Sequence, residues 1–210
     1  MKIIIVGAGV AGLSTYLQLR KLLPSFDSHT VVIYDSHKPP SRRTVSQSSA
    51  SPLEASPSGP HVLTDAAAVV GNSIALAPRS VHLLGRIDST LHDLFTARGY
   101  ANEHFTFKTA RGRVLAVTST ADARFPGERT ISCPRHVLWE CLHEVVGEDR
   151  VQHRQVASVD LDGPRPVVRF AEGGGQEEAD LVIGADGVRS VVKRALFGED
   201  DETRYAPRFE

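Results

Sequence analysis

The stretch KIIIVGAGVAG at residues 2–12 constrains this chain more than any other. Ile3, Ile4, Ile5 and Val6 are β-branched and do not alternate with polar residues. A strand reads this way when both of its faces are covered, as in the interior of a parallel sheet. Val10, Leu13 and Leu17 then recur at helical spacing, so a helix follows the strand. Between the two lie Gly7, Gly9 and Gly12, spaced G-x-G-x-x-G. Each glycine has a separate task in such a turn. Gly7 permits the sharp reversal, Gly9 lets a pyrophosphate approach the backbone, and Gly12 lets the helix pack close to the strand. The free N–H groups at the helix start then attract phosphate.

A second strand signal, TVVIYDS at 30–36, ends in Asp35, 23 residues beyond Gly12. Dinucleotide-binding folds place a ribose-gripping acid at about that distance. Asp35 thus reads either as a hydrogen-bond acceptor for a ribose hydroxyl or as a strand-end acid that caps a turn. From Ser36 to Pro60, 13 of 25 residues are Ser or Pro, which reads as a flexible loop. Arg42 and Arg43 in that loop could reach a pyrophosphate, although loop arginines ordinarily face solvent.

Farther along, Pro78 suits a first helical turn, and Val81, Leu84, Ile87, Leu91 and Leu94 form a helical stripe that Gly99 ends. Residues 104–108 and 113–118 read as a hairpin. A second helix is expected from Pro134, with Leu138, Cys141, Leu142 and Val145 facing inward and Trp139 off that face. RVQHRQVASVDL and RPVVRFAEG read as two further strands. The segment DLVIGADGVRSVVKRALFG, at 180–198, repeats the opening arrangement: an apolar strand through Leu181, Val182 and Ile183, a glycine-rich turn at 184–187, and a basic helix from Val188. Asp186 can accept hydrogen bonds from hydroxyls or anchor its own turn, and Arg189, one turn into that helix, could meet a phosphate.

Several function classes are excluded by what the chain lacks. A formal net charge of −1 supplies no basic field for nucleic acid. No apolar run approaches the roughly 20 residues that span a bilayer. The nine histidines and two cysteines show no metal-ligand spacing, and no G-x-S-x-G nucleophile elbow occurs. Two cysteines without a disulfide framework fit a reducing compartment, and a cytoplasmic location is expected.

Taken together, the order GAGVAG, strand-end acid, IALAPRSVHLL, TISCPRHVLWECL and DLVIGADGVRSVVKRALFG resembles the flavin-dependent aromatic-ring hydroxylases. These are NAD(P)H-using FAD monooxygenases of the FAD/NAD(P)-binding superfamily. The likeness runs over essentially all 210 residues, and GADGVRS resembles that family's DG motif, which is far more specific than the glycine triplet. The resemblance implies an α/β, Rossmann-like FAD-binding fold with a parallel central sheet and an added β-hairpin or β-meander layer. It implies that Asp186 and Gly187 serve both FAD and the pyrophosphate of NAD(P)H. Arg135 is implied to contact FAD, the backbone near Gly71 and Ala75 to lie along the cofactor, and Arg189 to be the nearest counterpart of a catalytic-site arginine.

The chemistry implied is oxygen insertion into a small organic substrate, of the hydroxylase or epoxidase type, with flavin reduced by NAD(P)H. Two departures stand out. The Ser/Pro-rich loop is longer than the family's usual connection, and the family's later GD motif, which holds the ribityl chain and flavin ring, does not occur. The expected organisation is therefore an FAD-binding domain at 1–200, the start of a truncated substrate domain at 201–210, and a C-terminal substrate domain largely absent. The alternative is a non-catalytic nucleotide-binding fragment or inactive truncated product. An NAD-dependent dehydrogenase is disfavoured by the DG motif.

Overall fold

A computed structural model describes residues 1–37, 73–171 and 173–198. The chain opens with β1 (Lys2–Val6), α1 (Val10–Leu22) and β2 (Thr30–Asp35). After the gap come β3 (Ser73–Leu76), α2 (Pro78–Ile87), α3 (Ser89–Arg98), β4 (Tyr100–Asn102), β5 (His104–Lys108), β6 (Val114–Ser119), β7 (Thr130–Pro134) and α4 (Arg135–Val146). The last portion holds β8 (Val151–His153), β9 (Val156–Asp160), β10 (Val167–Phe170), β11 (Gln176–Glu178), β12 (Leu181–Gly184) and α5 (Val191–Phe197).

Four strands form a parallel sheet in the order β12-β1-β2-β8. The unbroken apolar run of β1 has the expected cause. Ile3 and Ile5 point into a cluster with Leu13, Leu17, Leu91, Phe95 and Leu142 from α1, α3 and α4. Ile4 and Val6 point to the opposite face, against Val159, Val168, Phe170 and Val192. Side chains of a strand alternate between faces, so a strand buried on both needs apolar residues throughout. Tyr34 sits on the second face, stacked edge-on to Phe170 with its hydroxyl donating to Glu177 at 2.8 Å. That contact docks the antiparallel β11-β10-β9 sheet against the central one.

β12 pairs beside β1 in parallel register, as its apolar run implies. Among the described residues it is the outer strand of its sheet, and Leu181 is 42% exposed, so the run is not covered on both faces. The remaining strands make a β3-β7-β4 sheet and the expected β5-β6 hairpin.

Two expectations about elements need correction. The stripe from Pro78 to Arg98 is two helices, because Asp88 stops α2 and caps α3: its Oδ1 accepts from the Thr90 and Leu91 N–H groups at 2.9 and 3.3 Å. A side chain that satisfies the orphan donors of a new helix makes a break affordable within an apolar stripe. Likewise RVQHRQVASVDL is two strands in two different sheets, β8 beside β2 and β9 beside β10. Among the described residues no helix is long and apolar enough to cross a membrane.

The α2–α3 corner is tied to the segment before β7 by a small charged cluster. His92 lies 3.2 Å from Asp93 through Nδ1 and 3.2 Å from Glu128 through Nε2, and His82 is 3.7 Å from the other oxygen of Glu128. Burial pulls the His92 pKa down, but its hydrogen bonds to the two carboxylates outweigh this and hold it above the ordinary 6.5. A histidine with a raised folded pKa stabilises the fold fully below its unfolded pKa and loses that contribution as pH rises through the folded value. Buried His143 is shifted the other way by desolvation, so the difference between wild type and variant, not the absolute curve, isolates His92. Urea midpoints of wild type minus His92→Ala are expected to be largest below pH 6.5 and to shrink as pH rises past neutral. A difference that does not change with pH would remove His92 from the balance.

Candidate functional site: a glycine turn braced from three sides

The turn between β1 and α1 is fixed almost atom by atom. Gly7 takes φ +102°, donates its N–H to the Tyr34 carbonyl at 2.7 Å, and lies so close to β12 that a Cβ would sit 2.4 Å from the Ala185 oxygen. Gly12 is tighter still, since a Cβ there would come within 1.8 Å of the Gly7 oxygen. Gly9 differs from both. It caps α1 with an ordinary φ of −74°, and a Cβ on it would meet nothing within 4 Å among the described residues. The turn thus closes against protein at Gly7 and Gly12 and opens outward at Gly9.

The electrostatics of that opening favour an anion. The N–H groups of Gly9, Val10 and Ala11 have no acceptor among the described residues. α1 carries no acidic residue in its first turn and has Arg20 and Lys21 in its last, so nothing on the helix neutralises its positive end. Orphan donors on a helix axis, with room above them, are what a phosphate group needs.

Asp35 ends β2 beside this turn. Its Oδ2 accepts from the Ala8 N–H at 2.6 Å and its Oδ1 from the His37 N–H at 2.7 Å. Of the two readings of this acid, turn bracing is present. Oδ1 also lies 3.4 Å from the His37 Nδ1, whereas Oδ2, with one donor, keeps capacity for a hydroxyl.

The second glycine-rich turn meets the first. The Ala185 N–H donates to the Val6 carbonyl at 2.7 Å, and the Asp186 Cα faces the space a Gly7 side chain would take. The Asp186 carboxylate is turned inward: it accepts from Ser190 Oγ at 2.6 Å and from the Val191 N–H at 2.7 Å. Of its two readings, anchoring its own turn is present. Gly187 takes φ +78° with open space around it. Arg189 lies in the turn ahead of α5 rather than one turn inside a helix, because Ser190 is the cap and its Oγ accepts from the Lys193 N–H.

Arg135 opens α4 and is exposed. Neither Arg135 nor Arg189 forms an ion pair among the described residues. Ala75 lies in β3 opposite Ser132 of β7, the strand that runs directly into Arg135. Gly71, Arg42 and Arg43 lie outside the described residues. One contact has no counterpart in the sequence reading. Trp139, placed off the inward face of its helix, donates its indole Nε1–H to the Ala8 carbonyl at 2.8 Å. Its position at i+4 from Arg135 gave only a shared helix face, not a partner 131 residues away.

Cys133 and Cys141 are buried and unpaired, and burial pushes both thiols above the usual range, so neither is an activated nucleophile. Among the described residues no group of three His, Cys, Asp or Glu side chains is placed to hold a metal ion.

No family model matches the chain. Its sequence is similar to a chloroplastic zeaxanthin epoxidase of Oryza sativa subsp. japonica, 34% identical over 86 residues, which is 41% of this chain and 13% of that protein. It is similar also to the FAD-dependent monooxygenase pigN of Monascus ruber, 28% identical over 152 residues, or 67% of this chain and 34% of that one. Among solved structures, Klebsiella pneumoniae HpxO complexed with FAD and uric acid superposes with a TM-score of 0.65 at 20% identity, over 92% of this chain and 41% of that chain. The chain thus spans 13% and 34% of the length of these two curated relatives and 41% of the solved chain.

Proposed function

We propose that this chain, a sequence relative of FAD-dependent monooxygenases with their fold, binds FAD through the β1–α1 turn and serves an oxygenation reaction. The observation that carries the reading is the turn itself: closed by protein at Gly7 and Gly12, open at Gly9, with three backbone N–H groups unclaimed. A pyrophosphate fits there because its charge meets the positive end of α1 and its bulk meets no side chain.

Each expected cofactor residue then has a task set by where it stands. The Gly9, Val10 and Ala11 N–H groups hold the pyrophosphate. Asp35 offers its remaining acceptor capacity to the adenosine ribose while keeping Ala8 in place. Arg135, at the head of α4, brings a cation to the phosphates, and the β3 backbone at Ala75, paired with Ser132 three residues before Arg135, lies along the cofactor. Asp186 acts indirectly, by fixing the turn through Gly187 that lies against Gly7. Arg189 is the cation this turn leaves exposed, for a phosphate of the cofactor or of NAD(P)H. Residues 1–200 constitute the FAD-binding domain in this reading. Bound FAD would supply the redox chemistry with NAD(P)H and oxygen as co-substrates, and the residues above would bind and orient it.

Titration of the purified protein with FAD tests the reading. Saturable binding is expected, giving a yellow protein. Asp35→Ala is expected to weaken it by about 1.5–3 kcal/mol, the range for a hydrogen bond to a charged group, or roughly 10- to 150-fold. No saturable binding by wild type would overturn the proposal, and equal affinity in the variant would remove Asp35 from the site.

A further inference from the structure

The one tryptophan of the chain makes a contact that neither packing nor the expected cofactor residues account for. Trp139 lies on α4, is half-buried, and stacks on His143 with ring centroids 4.9 Å apart. Stacking covers the ring but leaves its N–H donor to find an acceptor. Its Nε1–H reaches across to the β1–α1 turn and donates to the Ala8 carbonyl at 2.8 Å. The same residue's N–H is held from the opposite element, by Asp35 Oδ2 at 2.6 Å. Ala8 is thus gripped at both of its peptide groups, by α4 on one side and the end of β2 on the other.

The grip on the carbonyl has a consequence one bond away. The Ala8 carbonyl and the Gly9 N–H belong to one planar trans peptide, in which C=O and N–H point in opposite directions. Fixing the first fixes the second. The Gly9 N–H is one of the donors with no acceptor among the described residues, at the one glycine of this turn where an added Cβ would meet none of them within 4 Å. We infer that Trp139 is a positioning residue of the phosphate-binding turn: by holding the Ala8 carbonyl inward it aims the Gly9 N–H at the ligand. α4 thereby presents two functions on one face, because Arg135 and Trp139 stand four residues apart. A donor set held in place before the ligand arrives costs less ordering on binding. The inference rests on the FAD reading for the identity of the ligand, but the aim of the Gly9 amide is a property of the ligand-free protein.

Two variants separate the N–H from the ring. Trp139→Phe keeps an aromatic ring and removes the donor. Trp139→Gln discards the ring but carries an amide N–H the same number of bonds from Cβ as the indole nitrogen. Two readouts are taken: the Kd for FAD, and the ¹⁵N order parameter of the Gly9 amide without ligand. The Phe variant is expected to bind FAD about three- to tenfold more weakly, the value of one neutral hydrogen bond. Its Gly9 order parameter is expected to fall from the rigid range of about 0.85 toward the flexible range below about 0.6. The Gln variant is expected to recover both, even if its melting temperature drops through lost packing. A Phe variant with unchanged Gly9 order and unchanged FAD affinity overturns the inference, as does a Gln variant no better than Phe in either readout. If wild type fails to bind FAD while Gly9 loosens in the Phe variant and recovers with Gln, the brace stands and the dinucleotide reading falls.

Discussion

Gly12→Ala is expected to cost about 3–5 kcal/mol, placing it among the severe single substitutions. The added methyl would lie 1.8 Å from the Gly7 carbonyl oxygen and 3.4 Å from the Ala185 side chain. The near neighbour is backbone, held by the Gly7 N–H bond to Tyr34 and packed under β12, so it cannot swing aside as a long side chain would. α1 must instead lift off β1, opening the cluster of Leu13, Leu17, Ile3 and Ile5. The helix-propensity gain of alanine over glycine, about 1 kcal/mol, is too small to offset this. In thermal unfolding the loss should lower the midpoint by roughly 10 °C or more for a chain of this size. A midpoint within two or three degrees of wild type, on the order of 1 kcal/mol, would show that the helix has slack where the structure gives none.

Gly9→Val is expected to do the reverse. Gly9 has an extended backbone that any residue adopts and open space where a side chain would go. Stability should change by about 1 kcal/mol or less, the difference between glycine and a poorer helix cap. FAD binding should fall by about 3 kcal/mol or more, over a hundredfold, because the isopropyl group fills the approach to the three free N–H groups. Equilibrium titration of the folded variant decides the matter. Wild-type affinity in Gly9→Val would mean that the open face of the turn is not where the phosphates sit. On these outcomes the two substitutions would divide one motif into its parts, with Gly12 serving packing and Gly9 serving the ligand.

That division also marks how far the sequence could be read. The spacing of Gly7, Gly9 and Gly12 between an apolar strand and a helical stripe was legible because all of it is local. So were the β5-β6 hairpin and α4 with its Leu138, Cys141 and Leu142 face, each announced by periodicity. The break at Asp88 was hidden because the apolar stripe continues in phase across it. A side-chain cap, not a change of pattern, ends α2. The start of α5 was misplaced for a related reason. Val188 and Arg189 suit a helix as well as Val191 does, and only Ser190 as cap and the inward-turned Asp186 decide where the helix begins.

The sequence by itself determined that a both-faces-buried strand runs through a glycine turn into a helix, that an acid ends the next strand, and that a second glycine turn follows a late apolar strand. These follow from backbone sterics and from hydrophobic period, which act within a few residues. Only the tertiary structure decided how those pieces serve one another. It set Asp35 against the Ala8 N–H, laid Ala185 on Gly7, and brought Trp139 onto the Ala8 carbonyl. Hydrogen bonds between residues 27 to 131 positions apart leave no periodic trace in a chain. They are set by which elements the burial of apolar surface packs side by side.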